Sequence, residues 1–172
     1  MPYTAFQAAL DPLTPYGGGR FYARGEYLPE LSDGAVDEFL ARAPGLVARS
    51  HPLSQMVIFR IGQGIAAVPD EATAFSHRYA SYLFHPITAW ANPADDERMT
   101  AAARAFAAAM RPFSTGASYL NFTHEADRVR DGYGDDKYAR LVAIKDTYDP
   151  VNLFRLNQNI RPSRPAAEPA FA

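Results

Sequence analysis

A chain of 172 residues with 48% apolar and 21% charged side chains has the make-up of one globular domain with a sizeable core. Its formal net charge of −2, with basic residues scattered along the chain, gives no stripe to follow a phosphate backbone and excludes nucleic acid as the expected partner. The absence of cysteine excludes disulfide frameworks, thiolate metal sites and cysteine nucleophiles.

The first ten residues lack a basic start followed by an apolar run, and no apolar stretch approaches the length of a membrane span. The expectation is a soluble, cytoplasmic protein without a membrane partner. Residues 5–10 predict a helical turn, followed by a loop rich in Pro12, Pro15 and Gly17 to Gly19. Residues 20–27 alternate Phe21 and Ala23 with Tyr22 and Arg24, a strand pattern. Ser32 caps a helix whose apolar face is Val36, Phe39, Leu40 and Ala43, with Pro44 as its expected end.

A strand is predicted at 53–61, with Gln55, Val57, Phe59 and Ile61 on one side. Residues 65–68 follow a glycine turn and suit its hairpin partner. The next strand, 79–90, contains Pro86, which favours a bulge or a sheet edge. Asn92-Pro93-Ala94-Asp95-Asp96 starts a helix to about Arg111, its stripe formed by Met99, Ala102, Ala103, Phe106 and Met110. A short strand at 117–122 and helices at 125–130 and 136–147, separated by Gly132 and Gly134, complete the pattern. Asp149-Pro150 stops the last helix, and Leu153, Phe154 and Leu156 are expected to anchor the turn that follows on a core.

These elements give an α+β fold: a mostly antiparallel sheet of roughly five strands, helices packed on one face, and an irregular C-terminal tail. A sheet covered on one face leaves the other to water or a ligand. Tyr22, Gln55, Val57, Phe59, His85 and Tyr119 are the residues expected on that second face.

His51, His77, His85 and His124 are dispersed, with no pair spaced to present two imidazoles on one helical face, so no metal site is expected. The glycines at 17–19 lack the pattern of a phosphate loop, and no serine sits in a nucleophile elbow. Tyr119 and Asn121, two apart on a strand, share a face. A phenol near a cation or an electron-poor ring gives up its proton more readily than a free one, and an amide beside it can hold a hydroxyl or a carbonyl. The residues alone leave two readings of Tyr119 open, a proton-transferring phenol or a half-buried tyrosine bonded to a neighbour. His85 is equally open between a proton handler and a satisfied core histidine.

The run from Tyr148 to Pro162, with Tyr119-Leu120-Asn121-Phe122 upstream, resembles the C-terminal signature of berberine-bridge-enzyme-like FAD-linked oxidases of the vanillyl-alcohol-oxidase type. Phe75-Ser76-His77-Arg78 followed by Tyr82-Leu83-Phe84-His85 is similar to a further segment of that family. The resemblance implies Tyr119 as the base that deprotonates a substrate hydroxyl, Asn121 as a flavin or substrate contact, and Asn157 and Asn159 near the flavin. It implies His85, Gln55 and Tyr22 as walls of the substrate pocket. Plant members carry Lys and Gln where Leu83 and His85 stand, and a second tyrosine where Phe122 stands.

The resemblance divides the chain into a partial substrate-binding domain (1–116), a C-terminal segment completing it (117–162) and a disordered tail (163–172). The family's flavin-linking His and Gly-rich pyrophosphate loop have no counterpart in these residues. FAD therefore belongs to the complete enzyme, and the implied partners are an FAD-binding domain, in cis or in trans, and a small-molecule substrate. Chemistry in such enzymes belongs to the flavin, and the protein supplies orientation and electrostatics. The implied reaction oxidises an alcohol, sugar or amine, with hydride passing to flavin and O2 reoxidising it. The alternatives are a non-enzymatic remnant that binds a small ligand or partner, and one subunit of a split oxidase.

Overall fold

The computed structural model describes residues 1–13, 19–48, 50–156 and 158–164. Residues 14–18 of the expected loop, Arg49, Asn157 and residues 165–172 of the expected tail lie outside the described residues. Helix α1 (Tyr3–Gln7) runs into a 3-10 segment (Ala8–Leu13), and strands β1 (Arg20–Ala23) and β2 (Glu26–Leu28) follow. Next come α2 (Asp33–Val47), β3 (Gln55–Arg60), the short α3 (Gln63–Ala66), β4 (Tyr82–Trp90), α4 (Asp96–Met110), α5 (Val129–Tyr133) and α6 (Asp135–Tyr148). The fold is α+β, with one antiparallel sheet.

β4 is the centre of that sheet. β1 and β2 lie along one side of it as a single interrupted strand in one register, Arg20 opposite Trp90 and Leu28 opposite Tyr82. β3 lies along the other side, Gln55 opposite Ile87 and Arg60 opposite Tyr82. Pro86 therefore sits in the central strand rather than at an edge or a bulge. It is tolerated there because its missing N–H coincides with the break between β1 and β2, where Arg24 still donates to the Pro86 carbonyl (3.3 Å).

Residues 65–68 form no strand. Ile65 lies in α3, and among the described strands β3 pairs with β4. Pro44 does not end α2, because burial of Ala43 and Leu46 against the core holds the last turn in place. The N-termini read as predicted: Ser32 accepts from the Ala35 N–H (3.3 Å), and Asn92 accepts from Ala94 (3.1 Å).

α2 and α4 cover one face of the sheet. Leu28, Phe84, Phe106 and Met110 form the main cluster there, with Phe39 and Phe106 set edge-on or tilted against one another and Phe84. Tyr22 and Trp90 extend that layer onto Met99 and Ala103 of α4. α5 and α6 instead dock on the 70–78 loop, where buried Lys137 reaches Asp70 (2.9 Å) and the Phe75 carbonyl (2.7 Å). Among the described residues no helix is long and apolar enough to cross a membrane.

The turn after α6 forms around Asp149, whose carboxylate accepts from Leu153 (2.7 Å) and Phe154 (3.0 Å). Its apolar residues do not reach a core, however. Leu153, Phe154 and Leu156 are 65, 78 and 86% exposed, because the local hydrogen bonds that shape the turn hold it outside the packed layers.

Phe84 is fully buried between the sheet and both covering helices. Replacing it with alanine is expected to lower the unfolding free energy by about 3–5 kcal/mol, measured by urea denaturation of the whole chain.

Candidate functional site

The position of Tyr119 follows from the antiparallel ladder. Alternate residues of a strand send their backbone groups to opposite neighbours. Arg24 bonds inward to Pro86, so Ala23, Gly25 and Tyr27 point outward, away from β4. Segment 115–124 takes up those groups. Thr115 donates to the Tyr27 carbonyl (2.9 Å), Tyr27 to Ala117 (3.3 Å), Tyr119 to Gly25 (2.9 Å) and His124 to Ala23 (3.3 Å).

A step of two residues along β1–β2, from Gly25 to Ala23, is thus matched by a step of five, from Tyr119 to His124. The surplus cannot lie flat in the ladder and folds out as a 3-10 turn, Leu120–Phe122. The strand expected at 117–122 is for this reason reduced to a single bridge, Ser118 with Glu26. The turn carries Phe122 over the sheet face, where its ring stacks on His85 at 4.0 Å and 18°. Gln158 holds the turn from the other side, its amide donating to the carbonyls of Leu120 (3.2 Å) and Thr123 (3.3 Å).

Tyr119 and Asn121 do meet, through the turn rather than a strand. The Asn121 amide donates to the Tyr119 hydroxyl oxygen at 3.0 Å and fixes its orientation. The Tyr119 ring stands edge-on to Tyr27 (6.0 Å), Phe75 (6.3 Å) and Phe122 (4.9 Å). These rings, with Phe59, Arg60, Ile61, Ile65 and Leu83, border a cleft of about 280 Å³ on the face of the sheet away from α2 and α4.

His85 is 6% exposed beneath Phe122, and its Nδ1 lies 3.3 Å from the Arg24 carbonyl. That carbonyl is the group the missing Pro86 N–H would have served, so His85 repairs the ladder. Burial holds its imidazole below the ordinary value, and nearby His124 adds to this; the Arg24 contact opposes it.

Tyr22 lies on the other face. Its register opposite Thr88 turns it toward α4, where its hydroxyl donates to Glu125 and the Arg104 guanidinium sits 5.4 Å from its ring centre. Burial first, then the Glu125 bond, raises its pKa. Gln55 shares the face of His85 but is exposed at the far end of β3, four residues or about 13 Å from Phe59. Asn159 is half-buried, and its side-chain oxygen has no hydrogen-bond partner among the described residues. Asn157 lies outside them.

Two features were not singled out from sequence. Tyr27 is one, a buried phenol beside Tyr119 whose pKa rises well above its ordinary value through burial and then the neighbouring Tyr119. It shares the strand parity of Phe21 and Ala23, opposite to Tyr22, so the expectation that set Tyr22 on this face turned Tyr27 away from it. The other is a buried ionic cluster behind the turn. Arg24 bridges Glu26 (2.7 Å) and Glu125 (3.1 Å), and Arg128 bonds Asp131 (2.6 Å) and the Gly116 carbonyl (2.6 Å). Among the described residues no cluster of His, Asp or Glu suits a metal ion.

Residues 118–161, which hold the Tyr119–Phe122 turn and the Asp149 turn, match the family model described as Berberine and berberine like. The chain is similar to the C-terminal part of a berberine-bridge-enzyme-like FAD-linked oxidase. The uncharacterized FAD-linked oxidoreductase YvdP of Bacillus subtilis is 34% identical over 107 residues, covering 60% of this chain and 23% of that protein. An FAD-linked oxidoreductase of Dictyostelium discoideum is 27% identical over 170 residues, 94% of this chain and 35% of its own length. The structure of Physcomitrella patens BBE-like 1 superposes with a TM-score of 0.73 at 25% identity, over 88% of this chain and 32% of that one. The chain thus spans from under a quarter to about a third of the length of these relatives.

Gly25 is where the turn comes closest to the sheet. A Cβ added there would lie 2.8 Å from the Phe122 Cβ and 3.4 Å from the Tyr119 carbonyl. Gly25→Ala is expected to push the turn off His85 and cost about 1–3 kcal/mol, seen as a lower urea midpoint and an altered Tyr119 environment by NMR.

Burial also lowers the pKa of His77, as it does that of His85, from 6.5. The unfolded chain therefore binds more protons than the native one as pH falls through 6.5. Stability is complete above that value and declines below it. The urea midpoint should be lower at about pH 5 than at about pH 7.5, with a shallower decline in His85→Gln.

Proposed function

We propose that this chain forms the substrate side of an FAD-dependent oxidoreductase that oxidises an alcohol, sugar or amine. The observation that carries the reading is the Tyr119 hydroxyl, held by Asn121 at 3.0 Å on the border of an aromatic cleft. In that position Tyr119 acts as the base that takes the proton of a substrate hydroxyl. The Asn121 amide donates to that oxygen and aims it, as the phenolate, at the substrate proton it accepts, a general-base arrangement defined first by geometry. Phe122 and the stacked His85 keep the turn against the sheet, so that the phenol is fixed relative to the cleft.

FAD, when bound, supplies the hydride acceptor, with O2 as the final oxidant. The residues fit such a group. Asn159 offers a buried oxygen suited to a ring N–H, and Asn121 is exposed beside the phenol. The partner is an FAD-binding domain, in cis or in trans. The exposed apolar run of Leu153, Phe154 and Leu156 suits burial against it.

The test is Tyr119→Phe in the protein joined to its flavin domain. The expected result is substrate oxidation slowed by about 10²–10⁴-fold with the fold and flavin content unchanged. Turnover equal to that of the unmodified protein would remove Tyr119 from the role of base.

A further inference from the structure

The turn that carries Tyr119 is held from three sides, by two apolar contacts and one polar clamp. Phe122 rests on His85 on the inner side. Leu120 lies directly on Gly132 of α5, where an added Cβ would fall 2.4 Å from its side chain. The polar clamp is the Gln158 amide, whose nitrogen donates to the carbonyls of Leu120 (3.2 Å) and Thr123 (3.3 Å). These are the first residue of the turn and the one just past its end. We propose that Gln158 is a positioning residue, which sets the turn and through it the Tyr119 phenol at the border of the cleft; this rests on the reading of Tyr119 as the proton acceptor.

The side chain is matched to the task. Carbonyls at the two ends of the turn ask for two donors, and a glutamine amide supplies both from one nitrogen, each aimed at its own oxygen. Glutamate has the same shape but no N–H when ionised, and its charge would face those oxygens. Methionine keeps the length and offers no donor. Gln158 is half-buried and belongs to none of the hydrophobic clusters, so its replacement leaves the packed layers intact.

Placement matters because a base must lie within hydrogen-bond reach of the proton it takes, and a displacement of about 1 Å can cost about 10²-fold in rate. The clamp also joins the two sides of the site. Asn159, the next residue, is the one whose buried oxygen suits the flavin ring. The two bonds of Gln158 therefore tie the flavin side to the base side.

The experiment compares Gln158→Met and Gln158→Glu with the unmodified protein by two readouts. In the isotope-labelled 172-residue chain, NMR follows the His85 ring protons, which carry the ring-current shift of Phe122 stacked at 4.0 Å. Both variants should reduce that shift and speed hydrogen exchange at the Phe122 N–H, which bonds the Tyr119 carbonyl (2.9 Å), while the signals of Phe84 stay in place. In the protein joined to its flavin domain, both should lower kcat by about 10–100-fold and change KM by less than about threefold. Combined with Tyr119→Phe, Gln158→Met should slow turnover no further, because the two act through one phenol. An unchanged His85 shift, full turnover of Gln158→Met beside a slowed Tyr119→Phe, or additive losses in the double variant would each overturn the assignment. A lost His85 shift with full turnover of Tyr119→Phe would overturn the reading of Tyr119 as the base, and the kinetic role of Gln158 with it, so the two failures are told apart.

Discussion

The sheet has to carry Pro86, a residue with no N–H, at the centre of its longest strand and opposite Arg24. The chain meets this in two ways at once. The neighbouring strand is interrupted at Arg24 and Gly25, and the carbonyl left over is taken by the ring of His85, the residue just before the proline. A buried polar group without a partner is costly, so the imidazole is held where it can serve that carbonyl. His85 then offers a flat face on which Phe122 stacks. The phenol of Tyr119 stands three residues from that stack, so its position depends on the repair of one missing hydrogen bond.

The two faces of the sheet are packed by different means. α2 and α4 close one with aliphatic and aromatic side chains, and the burial of Phe84, Leu28 and Met110 there is the ordinary source of stability. The other face is covered only in part, by a turn that exists because a step of five residues must match a step of two along the outer edge of β1 and β2. Its glycine contact is tight, and its outer side is fastened by Gln158 from the C-terminal run. The upstream and downstream motifs, far apart in sequence, are thus parts of one piece of structure.

Behind the turn, charges replace apolar packing. Glu26 is fully buried, yet bonds Arg24, and Arg24 reaches on to Glu125, which also takes the Tyr22 hydroxyl. Losing one partner of a buried pair leaves an unpaired charge in a dry place, which costs far more than the pair contributes. The cluster therefore fixes segment 123–128 against β1 and β2 in one arrangement. Tyr22 belongs to this layer, on the helix side, and not to the cleft.

The sequence by itself determined the helices with strong caps, the strands predicted at 20–27, 53–61 and 79–90, and the class of the fold, because capping and alternation are local properties of the chain. It also determined the likeness to berberine-bridge-like oxidases, whose motifs are short and contiguous, and brought Tyr119 and Asn121 together. It placed Pro86 at a bulge or an edge, ended α2 at Pro44, paired 65–68 with β3, put Tyr22 with His85 and sank Leu153, Phe154 and Leu156 in a core. Each of these depended on a neighbour distant in sequence. Which strand pairs with which, and in what register, sets which face a side chain occupies, and a shift of one residue reverses every one of them. Only the tertiary structure decided that His85 completes a ladder, that Tyr27 stands beside Tyr119, and that the surplus residues of 119–124 fold outward. Those outcomes come from long-range pairing and the satisfaction of buried polar groups, which no local pattern in the chain contains.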